Sequence, residues 1–464
     1  MQNHHKDLRF YLASVQKQAP ELCLKVKRKV DLHYEMTAFV KKLGARDRDP
    51  VVQFMQVSGT EHQIVSNLFA SRKAIAMALD CKFEDMNATY LDRLKNPMAP
   101  QIVNDGPVKE VVCIGKDVDL TSLPVPKHHE EDAGPYISAG VCIVQQPDGR
   151  TVNMGMYRFM ISGSHEGGMF INPIHHGGEL LRQAEMRNEP LEMAVVVGHH
   201  PALVIASQNN EPFGTDDYAL AGGLLDEPLL LAPSETLSFP VPAMSEIVIE
   251  GELLPGVRKD EGPFGEYTMY YGMRRKSPVF RARAITHRRD YIFHDLIPSS
   301  REHLGLWVTP SKEANLYKKI KAVFPTLKEV RLPLNGSGYH AYVCIEKVRD
   351  GDGKNILLTL LGSEYMLKHA VVVDDDIDIH NDDQVLWAIS TRVQADKDIF
   401  MVPGARSSVL DPSSYGIDSV FSGEGMVTKM GIDATKPVGL KFATKAKVPQ
   451  DVWEKIKLED FLGS

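Results

Sequence analysis

No apolar run in this chain approaches the length needed to cross a membrane. The opening stretch, Met1-Gln-Asn-His-His-Lys6, lacks the apolar core of a signal peptide, so a soluble, cytoplasmic protein is expected. Cysteine is sparse: Cys23, Cys81, Cys113, Cys142 and Cys344 are scattered, odd in number and include no CxxC pair. That excludes a disulfide framework and a zinc site built on cysteine, and it suits a reducing compartment. The three that fall in apolar, strand-like runs, as in Val111-Val-Cys-Ile114, read as buried core thiols. Basic residues are outnumbered, 53 against 61 acidic, for a net charge of -8, which argues against a general nucleic-acid binder. The two dense basic clusters, residues 25–29 and 274–276, are short and flanked by acid; they read as solvated surface rather than phosphate contacts. HExxH, a Walker loop and a GxGxxG strand-turn-helix are all missing, which weakens zinc-hydrolase, phosphate-loop and Rossmann readings. Internal repeats and low-complexity segments are missing too.

What is present is an ordinary globular composition, 43% apolar and 25% charged, over 464 residues, enough for about three domains. Residues 1–110 mix helical patterns with short apolar runs and end in the loop-like Lys95-Asn-Pro-Met-Ala-Pro100. Residues 111–310 are β-rich, with strands expected near 111–114, 140–145, 193–198, 246–251 and 279–285. Gly- and Pro-containing turns separate them, which suggests a barrel or a curled sheet. One helix, about 177–187, interrupts them with Leu180, Leu181 and Ala184 at helical spacing. Residues 311–464 alternate helix and strand, as a separate α/β domain does. There Leu316, Ile320 and Val323 predict one face of a helix over 314–324, and 340–346 and 370–373 read as strands, the second buried and parallel. Of three acidic tracts, Asp374-Asp-Asp376 is the densest and reads as a solvated loop. The pairs His128-His129 and His199-His200 lack a third ligand at a recognisable spacing and read as surface or strand-end histidines.

The most informative segment is Glu261-Gly-Pro-Phe-Gly-Glu266, running on into Tyr267, Thr268, Tyr270 and Tyr271. Two carboxylates five residues apart fit neither the helical nor the strand period. Gly262, Pro263 and Gly265 instead predict a rigid turn with a defined path. Neighbouring carboxylates interact, and one can be kept protonated at neutral pH, as a general acid requires. On its own this segment is as well explained by a solvated acidic turn. Other segments add chemistry. Asn153-Met-Gly-Met-Tyr-Arg158 offers a neutral oxygen ligand and a guanidinium fork for a carboxylate. Asn172-Pro-Ile-His-His-Gly-Gly178 opens the helix noted above, and a histidine there either binds a metal or caps the helix. Asp217, in Thr215-Asp-Asp-Tyr-Ala-Leu-Ala-Gly-Gly223, is a helix cap or a third oxygen ligand. Asn, His and a carboxylate together suit a hard divalent ion such as Mn²⁺ or Mg²⁺.

The order of these segments, with Pro242 to Gly251 and Lys429-Met-Gly-Ile-Asp-Ala-Thr435, resembles the UbiD-type decarboxylases from about residue 100 to the end. Those enzymes use prenylated FMN for reversible non-oxidative decarboxylation, through a covalent adduct with the modified flavin. The resemblance implies an α+β fold: a central split β-barrel, flavin-reductase-like, between the mixed N-terminal region and a C-terminal α/β domain. It implies Asn153, His175 and Asp217 as ligands of Mn²⁺ or Mg²⁺ against the cofactor phosphate, with K⁺ nearby. His176 is the alternative histidine; His175 is preferred because the following Gly-Gly aligns better. Asp217 stands where the family has Glu, one methylene longer, and Asp216 is the fallback. Ser138, Met156, Ser207 and Gln208 match positions lining the flavin, and Lys429 a basic residue near its phosphate end.

Arg158, Glu261 and Glu266 match the catalytic trio of that family. Loss of CO₂ from an unsaturated carbon leaves a carbanion that needs an electron sink, which a cofactor supplies. Glu266 is then the proton donor, and Arg158 holds the substrate carboxylate and pairs with Glu261. In residues 295–307, Arg301 and His303 are the candidate substrate residues. The His-Leu pair there favours a small aromatic, hydroxybenzoate-like acid, with furan, pyrrole or acrylic acids as the alternative. A flavin-binding protein without decarboxylase activity is the reading from another class; it has no need of an acid, and the trio argues against it. The resemblance also implies a prenyltransferase supplying the cofactor, and a homodimer or homohexamer assembled through the last domain.

Overall fold

The computed structural model describes residues 5–414 and 425–462; part of the opening stretch read for a leader lies outside them. The architecture is α+β around a curled half-barrel sheet. Its path of eight antiparallel strands runs Tyr136–Ile137, Phe159–Ile161, Glu166–Met169, Arg275–His287, Ile247–Glu261, Leu191–Val197, Val141–Gln145 and Val152–Met156. A ninth, Val111–Ile114, joins the outside of Arg275–His287. The two longest strands, 15 and 13 residues, pair with register shifts at Glu250/Gly251 and Leu253/Arg258. Such bulges bend a strand and tighten its twist, and they curl the sheet. Glycine is required at the first shift: a Cβ on Gly251 would stand 2.2 Å from the Arg281 carbonyl oxygen.

Strand alternation supplies two cores rather than one. Along Leu191–Val197, Ala194 and Val196 face one hydrophobic cluster, and Met193, Val195 and Val197 face another. On the first cluster lie helices Pro201–Ala206 and Asp217–Leu225. Only one helix was expected in this region, and it is His176–Met186, with Leu180, Leu181 and Ala184 buried. The other two are apolar on every side, so they show no amphipathic period to read.

A four-stranded sheet carries the N-terminal region, in the order Cys23–Val26, Val51–Phe54, Gln63–Ser66 and Ile292–His294. Its last strand comes from the far end of the central region and delivers the chain to residues 295–308. The C-terminal sheet runs Leu327–Arg331, His340–Ile345, His369–Asp374, Gly425–Ala434, Ile399–Ser407, parallel at its centre and antiparallel at both edges. Its first helix is Ser311–Lys321, three residues earlier than expected; Val323 lies past its end and is exposed. The Asp374 carboxylate is not a solvated loop residue: it is buried, and with Asp376 it clamps Arg392 at 2.9 and 2.8 Å. His128, His199 and His200 are buried, not superficial, while Cys113 is only half-buried. No helix among the described residues is long and apolar enough to cross a membrane.

Candidate active site

The five-residue spacing of the two glutamates has a simple cause. Glu261 is the last residue of strand Ile247–Glu261, and Glu266 sits in the turn of a small hairpin, Phe264–Gly265 with Tyr271–Gly272. Both reach Arg158, which stands between strands Val152–Met156 and Phe159–Ile161. Arg158 Nε and Nη2 donate to the two Glu261 oxygens, each at 2.8 Å, and Nη1 donates to Glu266 Oε1. The guanidinium lies 4.8 Å from the Phe170 ring and 5.1 Å from that of Phe264, so aromatic faces exclude water around it. Gly272 leaves room for the contact, since a Cβ there would be 3.1 Å from Glu266 Oε1. Glu261 also accepts from the Tyr136 hydroxyl at 3.0 Å and the Ser277 hydroxyl at 3.3 Å. Burial raises the pKa of Glu266; the Glu261 charge pushes the same way, and Arg158 and Arg275 oppose it.

A second constellation forms where helix Asp217–Leu225 meets strand Val152–Met156. Asp217 Oδ2 accepts from the Met154 backbone at 2.6 Å and the Asn153 amide at 3.3 Å, and Oδ1 accepts from Asn209 at 2.9 Å. Burial pushes its pKa up to about 7. Among the described residues no cation pairs with this carboxylate. Asp216 caps the helix and turns away, accepting from the Val152 backbone at 3.2 Å. His175 and His176 both line the cavity at the start of helix His176–Met186, and burial lowers both pKa values, that of His175 with help from the Lys312 charge. Among the described residues no three His, Cys, Asp or Glu side chains gather as a metal site, so a cation here would need the Asn153 amide oxygen. A buried carboxylate without a cation, beside an amide and with two imidazoles lining the adjoining cavity, is a donor set that fits a hard divalent ion.

One cavity of about 450 Å³ joins the two constellations. Ser138, Met156, Ser207, Gln208 and His303 line it, with Asn153, Arg158, His175 and Glu266. Glu261 and Asp217 stand just behind its wall. Arg301 and Lys429 do not line it. Arg301 points outward to Asp47 at 2.9 Å and Asp49 at 3.2 Å. Lys429 donates to the Leu361 and Glu364 carbonyls at 2.7 and 3.0 Å. Residues 295–307, read as a loop, include the first turns of helix Arg301–Val308, which turns His303, Leu306 and Trp307 inward. Burial, with the charges of His128 and His129, lowers the His303 pKa to about 4, so it is a neutral imidazole at pH 7. Phe264 and Tyr267 of the Glu261–Tyr271 segment and Trp307 of residues 295–307 complete the walls, with Phe170 and Lys312, which no sequence signal marked. A more open cleft of about 490 Å³, near His62 and Tyr291, contains none of these residues.

Comparison with known proteins follows this geometry. Residues 16–94, 101–301 and 307–434 match the N-terminal, Rift-related and C-terminal domain models of 3-octaprenyl-4-hydroxybenzoate carboxy-lyase. The anhydromevalonate phosphate decarboxylase of Methanothermobacter thermautotrophicus is 34% identical over 421 residues, 90% of this chain and 95% of that one. The UbiD-class enzyme HmfF from Pelotomaculum thermopropionicum, solved in complex with FMN, is 38% identical with a TM-score of 0.91, covering 98% of this chain and 100% of that one. The 3,4-dihydroxybenzoic acid decarboxylase of Klebsiella pneumoniae is 28% identical with a TM-score of 0.88, over 97% and 99%.

Proposed function

The chain belongs to the UbiD family and is a carboxy-lyase, and from that premise we propose that it decarboxylates a small, flat carboxylic acid, hydroxybenzoate-like in size, on prenylated FMN. The observation that carries this reading is the buried Glu261–Arg158–Glu266 bridge at the wall of a cavity with aromatic sides. When bound, prenylated FMN supplies the electron sink that the chemistry lacks. Ser138, Met156, Ser207 and Gln208 would flank its ring system. Asn153, His175 and Asp217 would hold Mn²⁺ or Mg²⁺ at its phosphate, with K⁺ close by.

The chain's own residues then divide the work. Three of the five Arg158 N–H donors go to the glutamates, which leaves two for the substrate carboxylate. Glu261, bonded through both oxygens, fixes the guanidinium. Arg158 holds Glu266 Oε1, so the proton rides on Oε2 and passes to the carbon that has lost CO₂. His303 is a neutral hydrogen-bonding partner for a ring hydroxyl. Cofactor and acid must share about 450 Å³, which favours a compact substrate. A second reading, a non-aromatic unsaturated acid, is supported by the identity to the anhydromevalonate phosphate decarboxylases over nine-tenths of the chain.

Glu266→Gln should lower CO₂ release by about 10²–10⁴-fold with FMN still bound. The assay is CO₂ release and H/D exchange from a panel of hydroxybenzoates, furoates and acrylates, on protein matured with prenylated FMN. Full activity in that variant rules out the assigned acid.

A further inference from the structure

Among the described residues Lys312 is the one lysine that lines the cavity, and its surroundings are unusual for an ammonium group. It lies on the second position of helix Ser311–Lys321, where the chain passes from the central sheet to the C-terminal domain. Nζ stands 3.8 Å from the centre of the Trp307 ring and 3.5 Å from the Met366 sulfur. The Glu364 carboxylate is 3.7 Å away, near enough to attract but too far for a hydrogen bond. Among the described residues no oxygen lies within hydrogen-bonding distance of it. An ammonium carries three donors and is strongly hydrated in water, so burying it against an indole and a thioether leaves donors unmet. Burial lowers its pKa, and Glu364 only partly opposes that. An ammonium held in this way calls for an anion from inside the cavity.

Which anion follows from its neighbours. The substrate carboxylate belongs with Arg158 and Glu266, between Phe170 and Phe264. Lys312 instead lines the same cavity as His175 and Asn153, the candidate cation ligands. A phosphate held there by a divalent ion brings oxygens with charge to spare on its remaining faces. Lys429, the other basic candidate for that role, already donates to two backbone carbonyls and lies outside the cavity lining.

We propose that Lys312, with Trp307 as its platform, is the side chain that holds the phosphate end of the flavin cofactor. This rests on the flavin-dependent reading above. It makes helix Ser311–Lys321 part of the cofactor site, so flavin binding ties the C-terminal domain to the central sheet.

The test compares FMN with riboflavin, which has the same ring system and no phosphate, by fluorescence titration of the apoprotein with Mn²⁺ present. Lys312→Met keeps length and apolar packing. It should weaken FMN roughly tenfold or more and leave riboflavin unchanged, and Lys312→Arg should recover most of the loss. Lys429→Met should leave FMN affinity near wild type. If Lys312→Met binds FMN like wild type, or weakens both ligands equally, the assignment of Lys312 is wrong while the flavin reading stands. If wild type binds neither ligand, the flavin reading itself fails. If the variant binds FMN normally but raises KM only for acids with a second anionic group, Lys312 serves the substrate and the proposal is overturned.

Discussion

Glu261 and Glu266 share one arginine yet are not equivalent. Among the described residues Glu261 accepts four hydrogen bonds, two from Arg158 and one each from Tyr136 and Ser277, which fix its orientation. Glu266 accepts one, from Arg158, and its pKa is raised by burial and by the Glu261 charge. In the proposed mechanism this difference suits Glu261 to orient Arg158 and Glu266 to act as the acid. The pH dependence follows. A donor must be protonated, so activity should fall as pH rises through the raised pKa of Glu266. Glu261→Gln removes the negative charge that helps raise it and frees Arg158 to favour the ionised form. Both effects lower the Glu266 pKa, so the alkaline limb of kcat should move to lower pH. A kcat profile with an unmoved limb would show that Glu261 does not tune the acid.

Two of these residues sit on elements that must come close to others. Helix Arg301–Val308 presents His303 and Trp307 to the cavity, and its position is fixed from behind. Glu302 accepts from the Asn67 and Leu68 backbones at 2.7 and 2.6 Å and from Ser66 at 3.2 Å. Gly305 allows the approach, because a Cβ would meet the Phe69 carbonyl oxygen at 1.9 Å. Gly305→Ala should therefore push the helix outward. The expected outcome is a loss of about 1–3 kcal/mol in stability by chemical denaturation, with KM for the acid rising more than kcat falls. An unchanged KM would mean that the helix does not set the substrate pocket. The sequence marked His303 here but not the helix. The motifs were legible because their chemistry sits in unusual spacing: Glu-x4-Glu is neither helix nor strand, and Arg158 falls in a break between strands, five residues after Asn153. Phe170 was not, because an aromatic beside a ligand looks like one in a core; Phe264 and Trp307 fell inside marked segments without a role of their own. Lys312 was hidden for another reason: it stands just before the helix expected from residue 314, in no motif of its own. Helix Asp217–Leu225, apolar all round, carried no period at all.

At the scale of the whole molecule, the cavity lies where the central and C-terminal regions meet, so its shape depends on how they are joined. The curled sheet was expected from strands separated by Gly and Pro turns. That a strand near residue 292 completes the N-terminal sheet was not, since pairing across more than two hundred residues leaves no local pattern. The same long-range joining appears in one buried ion pair. Arg72, on N-terminal helix Arg72–Ala78, donates to both Glu313 oxygens at 2.9 and 2.7 Å. Glu313, wholly buried on helix Ser311–Lys321, also accepts from the Leu332 backbone at 2.9 Å, and Arg72 reaches the Thr309 hydroxyl at 3.0 Å. The pair thus fastens the N-terminal region to the helix that carries Lys312. Removing one partner strands the other charge in the interior. Glu313→Gln should cost about 3–5 kcal/mol in guanidinium unfolding, and Arg72→Met with Glu313→Gln less than the sum of the two single changes. Because Lys312 precedes Glu313 directly, the single variant should also weaken FMN more than riboflavin. Additive energies, or a stability loss that leaves the FMN preference intact, would show that this clamp serves the fold without reaching the cofactor site.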